Sequence, residues 1–231
     1  MTTATTPPRP RILVIEDNHD TRRFLEVMLG KEFEVISAEN GVIGIDFARN
    51  KTPDLILLDI MLPILSGYDT CSLLKKDERT RHIPVIFLSA KNTVTDITQG
   101  LTTGADDYIP KPFDYKELQA RVKARLRKSA TSTNQPIQVG DLKIDPATRE
   151  VVFGDKPISL TLTEFDILRF LAARAGQVVT RDEILGEVWK ESEKKTNDRT
   201  IDVHVRALRK KIPALTKHII SIYGVGYKYE K

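Results

Sequence analysis

The sequence predicts an α/β domain, a doubly wound five-stranded parallel sheet, followed by a smaller α+β domain. Three observations predict it. The apolar runs Ile12-Leu13-Val14-Ile15, Leu55-Ile56-Leu57-Leu58 and Val85-Ile86-Phe87-Leu88 are each four residues long; that is too short for an ordinary helix and typical of strands buried on both faces. Segments of helical period separate them, and strands alternating with helices of about 8–15 residues make a doubly wound sheet. Beyond Pro136 the pattern changes to short strands divided by Gly-Asp turns, then capping boxes and amphipathic helices.

The first strand, Ile12–Ile15, runs into Glu16-Asp17. Asp20 is predicted to cap a helix with Phe24, Leu25 and Met28 as its apolar stripe and Gly30 as its stop. Glu34–Ala38 reads as the second strand and residues 41–50 as the second helix. The third strand ends on Asp59, and Gly67–Lys76 reads as the helix after it. Val85–Ser89 is the fourth strand, Thr93–Thr102 a helix, and Asp107–Lys111 a short fifth strand. Asp114 with Glu117 has box-like N-cap spacing for a last helix reaching about Lys128.

This order has a geometric consequence. Glu16, Asp17, Asp59, Ser89 and Lys111 all fall at the C-terminal ends of strands, the edge of an open α/β sheet where ligands and chemistry gather. A single acid there caps a helix or faces solvent as readily as it binds anything; five such residues on four strands are a constellation. Three close carboxylates repel unless a cation neutralises them. Oxygen donors without His or Cys select Mg²⁺. A carboxylate beside a metal and an ammonium group is set up to attack a phosphoryl group, with Lys111 spreading charge and Asp59 becoming an acyl phosphate.

Ser129–Pro136 is polar and aperiodic and reads as a linker. The chain therefore divides into a tail over 1–10, a domain over 11–128, the linker over 129–136 and a domain over 137–231. In the second domain Ile137–Val139, Leu142–Ile144, Glu150–Phe153 and Lys156–Ile158 read as a small antiparallel sheet. Thr161-x-x-Glu164 and Thr180-x-x-Glu183 are capping boxes opening two helices. The first carries Phe165, Leu168 and Leu171; the second runs through Ile184, Leu185, Val188 and Trp189. Asp198 is predicted to cap a third helix, with Ile201, Val205, Leu208 and Ile212 on its core face. Arg199, Val203, Arg206 and Lys210 form its outer stripe, flanked by Thr200 and Arg209. Ile219–Tyr223 and Tyr227–Tyr229 flank Gly224-Val225-Gly226 as a hairpin. Three helices, a cationic outer stripe and a hairpin describe a winged helix-turn-helix, whose Arg and Thr side chains can reach base edges while other cations meet phosphates.

Composition agrees. At 231 residues, 40% hydrophobic and 29% charged, the chain has the material for two packed domains and is not disordered. Residues 1–126 hold 17 Lys/Arg and 18 Asp/Glu, whereas residues 127–231 hold 19 and 14, so the second domain is the basic one and the candidate for a polyanionic partner. Cys71 is the single cysteine and no Cys/His set has zinc spacing. Met1–Pro10 lacks the apolar core of a signal peptide, and no run approaches the ~18 apolar residues of a membrane span. A cytoplasmic protein with no membrane partner is expected.

Glu16-Asp17, Asp59 with Pro63 and Gly67 downstream, Ser89-Ala90, Gly104-Ala105-Asp106-Asp107-Tyr108 and Lys111-Pro112-Phe113 together resemble the receiver domain of bacterial response regulators, across residues 10–128. The resemblance implies a flavodoxin-like receiver in which Asp59 accepts phosphate from a sensor histidine kinase. Glu16, Asp17, Asp59 and the Met61 backbone carbonyl would hold Mg²⁺, Lys111 would pair with the phosphate, and Lys111-Pro112 would be cis. Ser89 would swing to the phosphate and Tyr108 would follow inward. From its residues alone, Tyr108 is equally a half-buried strand aromatic.

Asp198-Arg199-Thr200-Ile201-Asp202-Val203-His204-Val205-Arg206 with Gly224-Val225-Gly226-Tyr227 is similar to the effector domain of OmpR/PhoB-type regulators, across residues 137–230. By that likeness Arg199, Thr200, Val203, His204, Arg206 and Arg209 face double-stranded DNA, with Lys210, Tyr223 and Lys228 as further candidates. A phosphorylation-dependent homodimer through Asp106, Asp107, Glu117, Arg121 and Lys123 is implied; the polar loop 190–197 reads equally as the family's RNA polymerase contact or as a solvated connection. Departures are Tyr223 where the wing often carries Arg, Ala207 at a commonly basic position, and Ile97 and Thr102 where a basic and an acidic residue are usual. Ile97 and Thr102 predict a weaker or more apolar dimer face, whereas Tyr223 puts the minor-groove contact in question and Ala207 removes a phosphate or base contact. Two rival readings are disfavoured. An aspartate-nucleophile phosphohydrolase commonly has a second carboxylate where Met61 stands, and a phosphorylation-independent regulator has no use for the complete acidic site.

Overall fold

The structure is a computed structural model that describes residues 9–90, 100, 102–126, 135–189 and 199–230. Strands β1 (Arg11–Ile15), β2 (Glu34–Ala38), β3 (Leu55–Asp59), β4 (Val85–Ser89) and β5 (Asp107–Pro110) form one parallel sheet in the order β2-β1-β3-β4-β5. Helices α1 (His19–Leu29), α2 (Gly41–Lys51), α3 (Gly67–Lys76) and α4 (Tyr115–Leu126) cover it.

Alternation along the strands explains why their apolar runs are unbroken. Leu13, Ile15, Ile56, Leu58, Val85 and Phe87 point to one face and pack with Ile45 and Ala48 of α2 and Cys71 and Leu74 of α3. Ile12, Val14, Leu55, Leu57, Ile86 and Leu88 point to the other and meet Leu25, Leu29, Leu118 and Val122 of α1 and α4. A one-residue slip would exchange the two sets, so register is fixed from both sides.

The first helix departs from its expected start and stripe. Asn18, not Asp20, is its cap: Asn18 is extended and its side chain accepts from the Thr21 N–H at 2.9 Å, while Asp20 lies in the first turn. Leu25 and Leu29, one turn apart, are buried, whereas Phe24 is half exposed, so the stripe is rotated away from Phe24. Asp114 does cap α4, accepting from the Glu117 N–H at 3.1 Å. The helix expected over Thr93–Thr102, most of the linker, Ile97, Asp198 and the loop 190–197 lie largely or wholly outside the described residues.

The second domain opens with an antiparallel sheet of β6 (Ile137–Val139), β7 (Leu142–Asp145), β8 (Glu150–Phe153) and β9 (Lys156–Pro157). Both capping boxes are formed. Thr161 and Glu164 exchange hydrogen bonds at the start of α5 (Leu162–Ala173), as do Thr180 and Glu183 at α6 (Arg181–Val188). Between these helices sequence reading missed β10 (Val178–Thr180), since three β-branched residues are too short a run to separate from a helix cap. Helix α7 (Arg199–Lys211) buries Ile201, Val205 and Leu208, with Ile212 just beyond its end, in one cluster with Phe165, Leu168 and Leu171, as its period predicts. A short α8 (Leu215–His218) leads to the hairpin of β11 (Ile219–Ile222) and β12 (Gly226–Tyr229). Pairing of β10 with β12 makes that hairpin a three-stranded sheet.

The two domains touch through specific groups. The Asp106 carboxylate accepts from the Thr163 N–H and Oγ1–H, both at 3.2 Å, at the N-terminus of α5. Arg125 lies 4.9 Å over the Trp189 ring and donates to the Val188 carbonyl at 3.5 Å.

Candidate functional site

The strand order places a switch point between β1 and β3, where neighbouring connections leave in opposite directions and open a crevice. Glu16 and Asp17 follow β1 and Asp59 ends β3, so the acids expected to converge do so. Their ligand oxygens all lie within 4.8 Å of one another. Lys111, just beyond β5, reaches across β4 and donates to Glu16 Oε2 and Asp59 Oδ2, each at 2.7 Å. Asp59 Oδ1 accepts from the Met61 N–H at 3.0 Å. Asp59 is 5% exposed and Glu16 1%, whereas Asp17 faces solvent.

Electrostatics follow from burial. Desolvation raises the Glu16 carboxyl above its ordinary range; Lys111 opposes this and the Asp59 charge adds to it. Burial is the largest influence and works against the Lys111 ammonium, but its hydrogen bonds to Asp59 and Glu16 and their charges together outweigh it, and its pKa is raised. Lys111 is therefore a fixed cation beside the nucleophile. The donors are all oxygens, one of the three carboxylates is exposed, and no His or Cys joins them among the described residues, which fits a hard divalent ion such as Mg²⁺.

Ser89 is fully buried at the end of β4, its carbonyl accepting from the Lys111 N–H at 2.6 Å. The Lys111-Pro112 bond is cis, as expected. Tyr108 is already buried, in the cluster on the α2–α3 face, so it has no exposed position in this conformation from which to move inward.

Gly67 is a positioning residue that sequence reading assigned no such role. A Cβ on Gly67 would stand 2.1 Å from the Asp59 carbonyl oxygen and 2.6 Å from the Ile60 Cα. Those neighbours are backbone and cannot rotate aside. Gly67→Ala is expected to push the β3–α3 loop outward at a cost of about 1–3 kcal/mol. Phosphoryl incorporation should fall with it; normal incorporation and an unchanged unfolding midpoint would refute the close approach.

In the second domain, Arg206 and Lys210 are exposed on α7 and Val203 is partly exposed, as the outer stripe requires. Arg199 begins α7. Three neighbours are corrected. His204 is 1% and Thr200 4% exposed, so both side chains belong to the buried side; one residue of offset on a helix moves a side chain through about 100°. Arg209 donates to the Ile219 carbonyl and to Ser221 Oγ, bracing β11 rather than standing free. Tyr223 is fully exposed on the hairpin, and Lys228 pairs with Glu230 at 2.8 Å. Asp202 accepts from Tyr227 Oη and from Arg181, tying α7 to the hairpin and α6. Burial and this acceptor push the Tyr227 phenol up.

The expected dimer face is also revised. Asp106, Asp107 and Arg121 are buried. Asp106 pairs with Lys75 at 2.9 Å and with Thr163; Asp107 accepts from Arg121 at 3.0 Å. Glu117 supports Arg121, and Lys123 pairs with Glu32 at 2.7 Å. Only Glu117 and Lys123 of the five are partly exposed: Asp106 meets Thr163 of the second domain, and Asp107 and Arg121 close on each other.

Comparisons with known proteins bear on both halves. Residues 12–123 match the response regulator receiver domain family, and residues 155–229 match the family described as transcriptional regulatory protein, C terminal. The DNA-binding response regulator MtrA of Mycolicibacterium smegmatis is 39% identical over 224 residues, covering 95% of this chain and 96% of the relative. The chain belongs to the OmpR/PhoB-type response regulators. The phosphate regulon transcriptional regulatory protein PhoB of Klebsiella pneumoniae is likewise 39% identical over 223 residues, covering 95% and 97% of the two chains. Among solved structures, a single-residue mutant of RitR matches with a TM-score of 0.75 at 28% identity, over 96% of this chain and 99% of that one. DrrB of Thermotoga maritima, described as an OmpR/PhoB homologue, is 31% identical over 96% and 100% of the chains, with a TM-score of 0.52. This response regulator is thus a DNA-binding transcription regulator of a two-component system, in a non-enzymatic class. No helix among the described residues is long and apolar enough to cross a membrane.

Proposed function

We propose that Asp59 is the phosphoacceptor, and that its phosphorylation releases the second domain to bind DNA as a dimer. The observation that carries this reading is the Lys111 ammonium shared by Glu16 and Asp59 at the β1/β3 switch point. In the transfer, an Asp59 carboxylate oxygen forms a bond to phosphorus as the nitrogen–phosphorus bond of a phosphohistidine on the sensor kinase breaks; the departing imidazole takes up a proton. Lys111 is placed to stay with the charge of the arriving group, and the Ser89 hydroxyl to donate to it. Glu16, Asp17, Asp59 and the Met61 carbonyl would hold Mg²⁺, which supplies positive charge against three carboxylates and a phosphate. Such a product resembles other phosphorylated side chains in adding about −1.5 to −2 charge.

For DNA, Arg199, Val203, Arg206 and Lys210 are the recognition stripe, with Tyr223 and Lys228 on the wing. Arg and Lys there would supply a steeply salt-dependent affinity. RNA polymerase contact through residues 190–197 is part of the same reading. The homodimer would use the α4–β5 face, and burial of Asp106, Asp107 and Arg121 supports an order of events: the second domain leaves before a partner receiver arrives.

Incubation with acetyl phosphate and Mg²⁺, followed by weighing the intact protein, tests the central step. One phosphoryl adduct is expected on the wild type and none on Asp59→Asn, with sedimentation shifting toward a dimer in the first case alone. An equal adduct on Asp59→Asn, or none on the wild type, would overturn the assignment.

A further inference from the structure

A cleft of about 1000 Å³ lies between the domains, walled by Lys75, Lys76 and Arg81 on one side and by Arg206, Lys210 and Lys211 of α7 on the other. Only two acids line it, and both are already engaged: Glu164 with Lys211 at 2.6 Å, and Asp202 with Arg181 at 3.1 Å and Tyr227. Lys75 is committed to Asp106, and Arg81 stands 3.9 Å from Glu78. Among the described residues, Lys76, Arg206 and Lys210 have no ion pair. Cations from two domains are thus brought to face each other across a space shielded from bulk solvent on two sides, where like charges repel more than in open water.

We propose that this cleft binds a small polyphosphorylated anion, one carrying two or more linked phosphoryl groups, which bridges Lys76 and Arg81 of the receiver to Arg206 and Lys210 of the recognition helix. The volume leaves room for more than a single phosphate, and one phosphoryl group carries too little charge to neutralise the cations of both walls. A linked chain carries enough, and it removes the repulsion between them. A DNA duplex cannot enter, because the receiver closes one side. An anion that binds only the joined domains stabilises them by linkage. It also occupies Arg206 and Lys210, so it opposes DNA binding; that last consequence rests on the reading of these two residues as DNA contacts, whereas binding of the anion does not.

The test is calorimetric titration of the full-length protein, in chelator and at low salt, with inorganic tripolyphosphate, ATP and orthophosphate. Tripolyphosphate is expected to bind at one site, and orthophosphate at least roughly ten-fold more weakly, since it forgoes charge-assisted hydrogen bonds to one of the two walls. Equal binding of ATP would assign recognition to the phosphate chain, and tighter binding of ATP would add a nucleoside contribution; both uphold the site. Lys76→Ala and Lys210→Ala should each weaken tripolyphosphate by about ten-fold. Retained phosphoryl incorporation at Asp59 would show that the Lys76 variant is folded. If Lys76→Ala binds like wild type while Lys210→Ala fails, the anion is a DNA-phosphate mimic on α7 alone and the bridge is wrong. No binding of tripolyphosphate to wild type would equally overturn it.

Discussion

Asp106→Ala is expected to destabilise the receiver by about 3–5 kcal/mol and to separate the domains in the same step, because a buried charge loses its partner. Asp106 is completely buried, and its carboxylate serves two domains at once. One oxygen accepts from Lys75 Nζ at 2.9 Å and from the Val85 N–H at 3.0 Å, which fixes the end of α3 to the start of β4. The other accepts from Thr163 at the first turn of α5, where a negative charge also meets the positive end of the helix. Desolvation is the largest influence and works against this carboxylate, but the Lys75 charge and hydrogen bond, the Arg125 charge and the Val85 N–H together outweigh it and hold the acid below its ordinary pKa. Truncation leaves Lys75 facing only the Ile83 and Arg81 carbonyls. Urea unfolding should show the loss, and small-angle scattering should show an expanded particle. Thr163→Val separates the two roles: it keeps the shape, removes one hydroxyl and should loosen the domains by about 1 kcal/mol while leaving receiver stability alone. A receiver midpoint lowered as far by Thr163→Val as by Asp106→Ala would sink this account.

The sequence already carried the features with local causes. The strands were readable because each face of the sheet needs its own alternate residues, and the switch-point acids because strand ends are where they must lie. The two capping boxes and the core stripe of α7 are short-range patterns and appear as expected. What could not be read depended on tertiary proximity. Asp106, Asp107 and Arg121 look in sequence like members of an exposed charged face, and nothing local says that Thr163 or Trp189 will cover that region. His204 and Thr200 stand beside Val205 and Ile201 at the edge of the core stripe of α7, and their burial depends on what packs against that edge, where the Trp189 ring lies 6.0 Å from that of His204. Gly67 reads as a helix start; only the fold shows the Asp59 carbonyl against it.

Stability of the second domain should fall by roughly 3 kcal/mol as pH drops from about 6.5 to about 4, through His204. Its ring lies 6.0 Å from that of Trp189, and its Nε2 has no hydrogen-bond partner among the described residues. Burial lowers its pKa to about 4; Glu164, Asp106 and Asp107 pull the other way and Arg125 adds to the lowering. The sign follows from where the proton goes. Above the unfolded value both states are neutral and the stability is fully present. As pH falls through it, the unfolded chain takes up a proton that the folded chain refuses, and folding weakens until the folded value is reached. The opposing carboxylates lie on α5 and in the receiver, so the same proton presses on the domain contact beside Arg125. His204→Leu should flatten this limb of the stability profile, because it fills the site without a titrating group. Urea midpoints measured from about pH 7 to about pH 4.5 for both proteins provide the check, a range that spans most of the His204 transition. Wild-type and variant profiles that fall in parallel would mean that acid acts through the carboxylates and that His204 carries none of the loss.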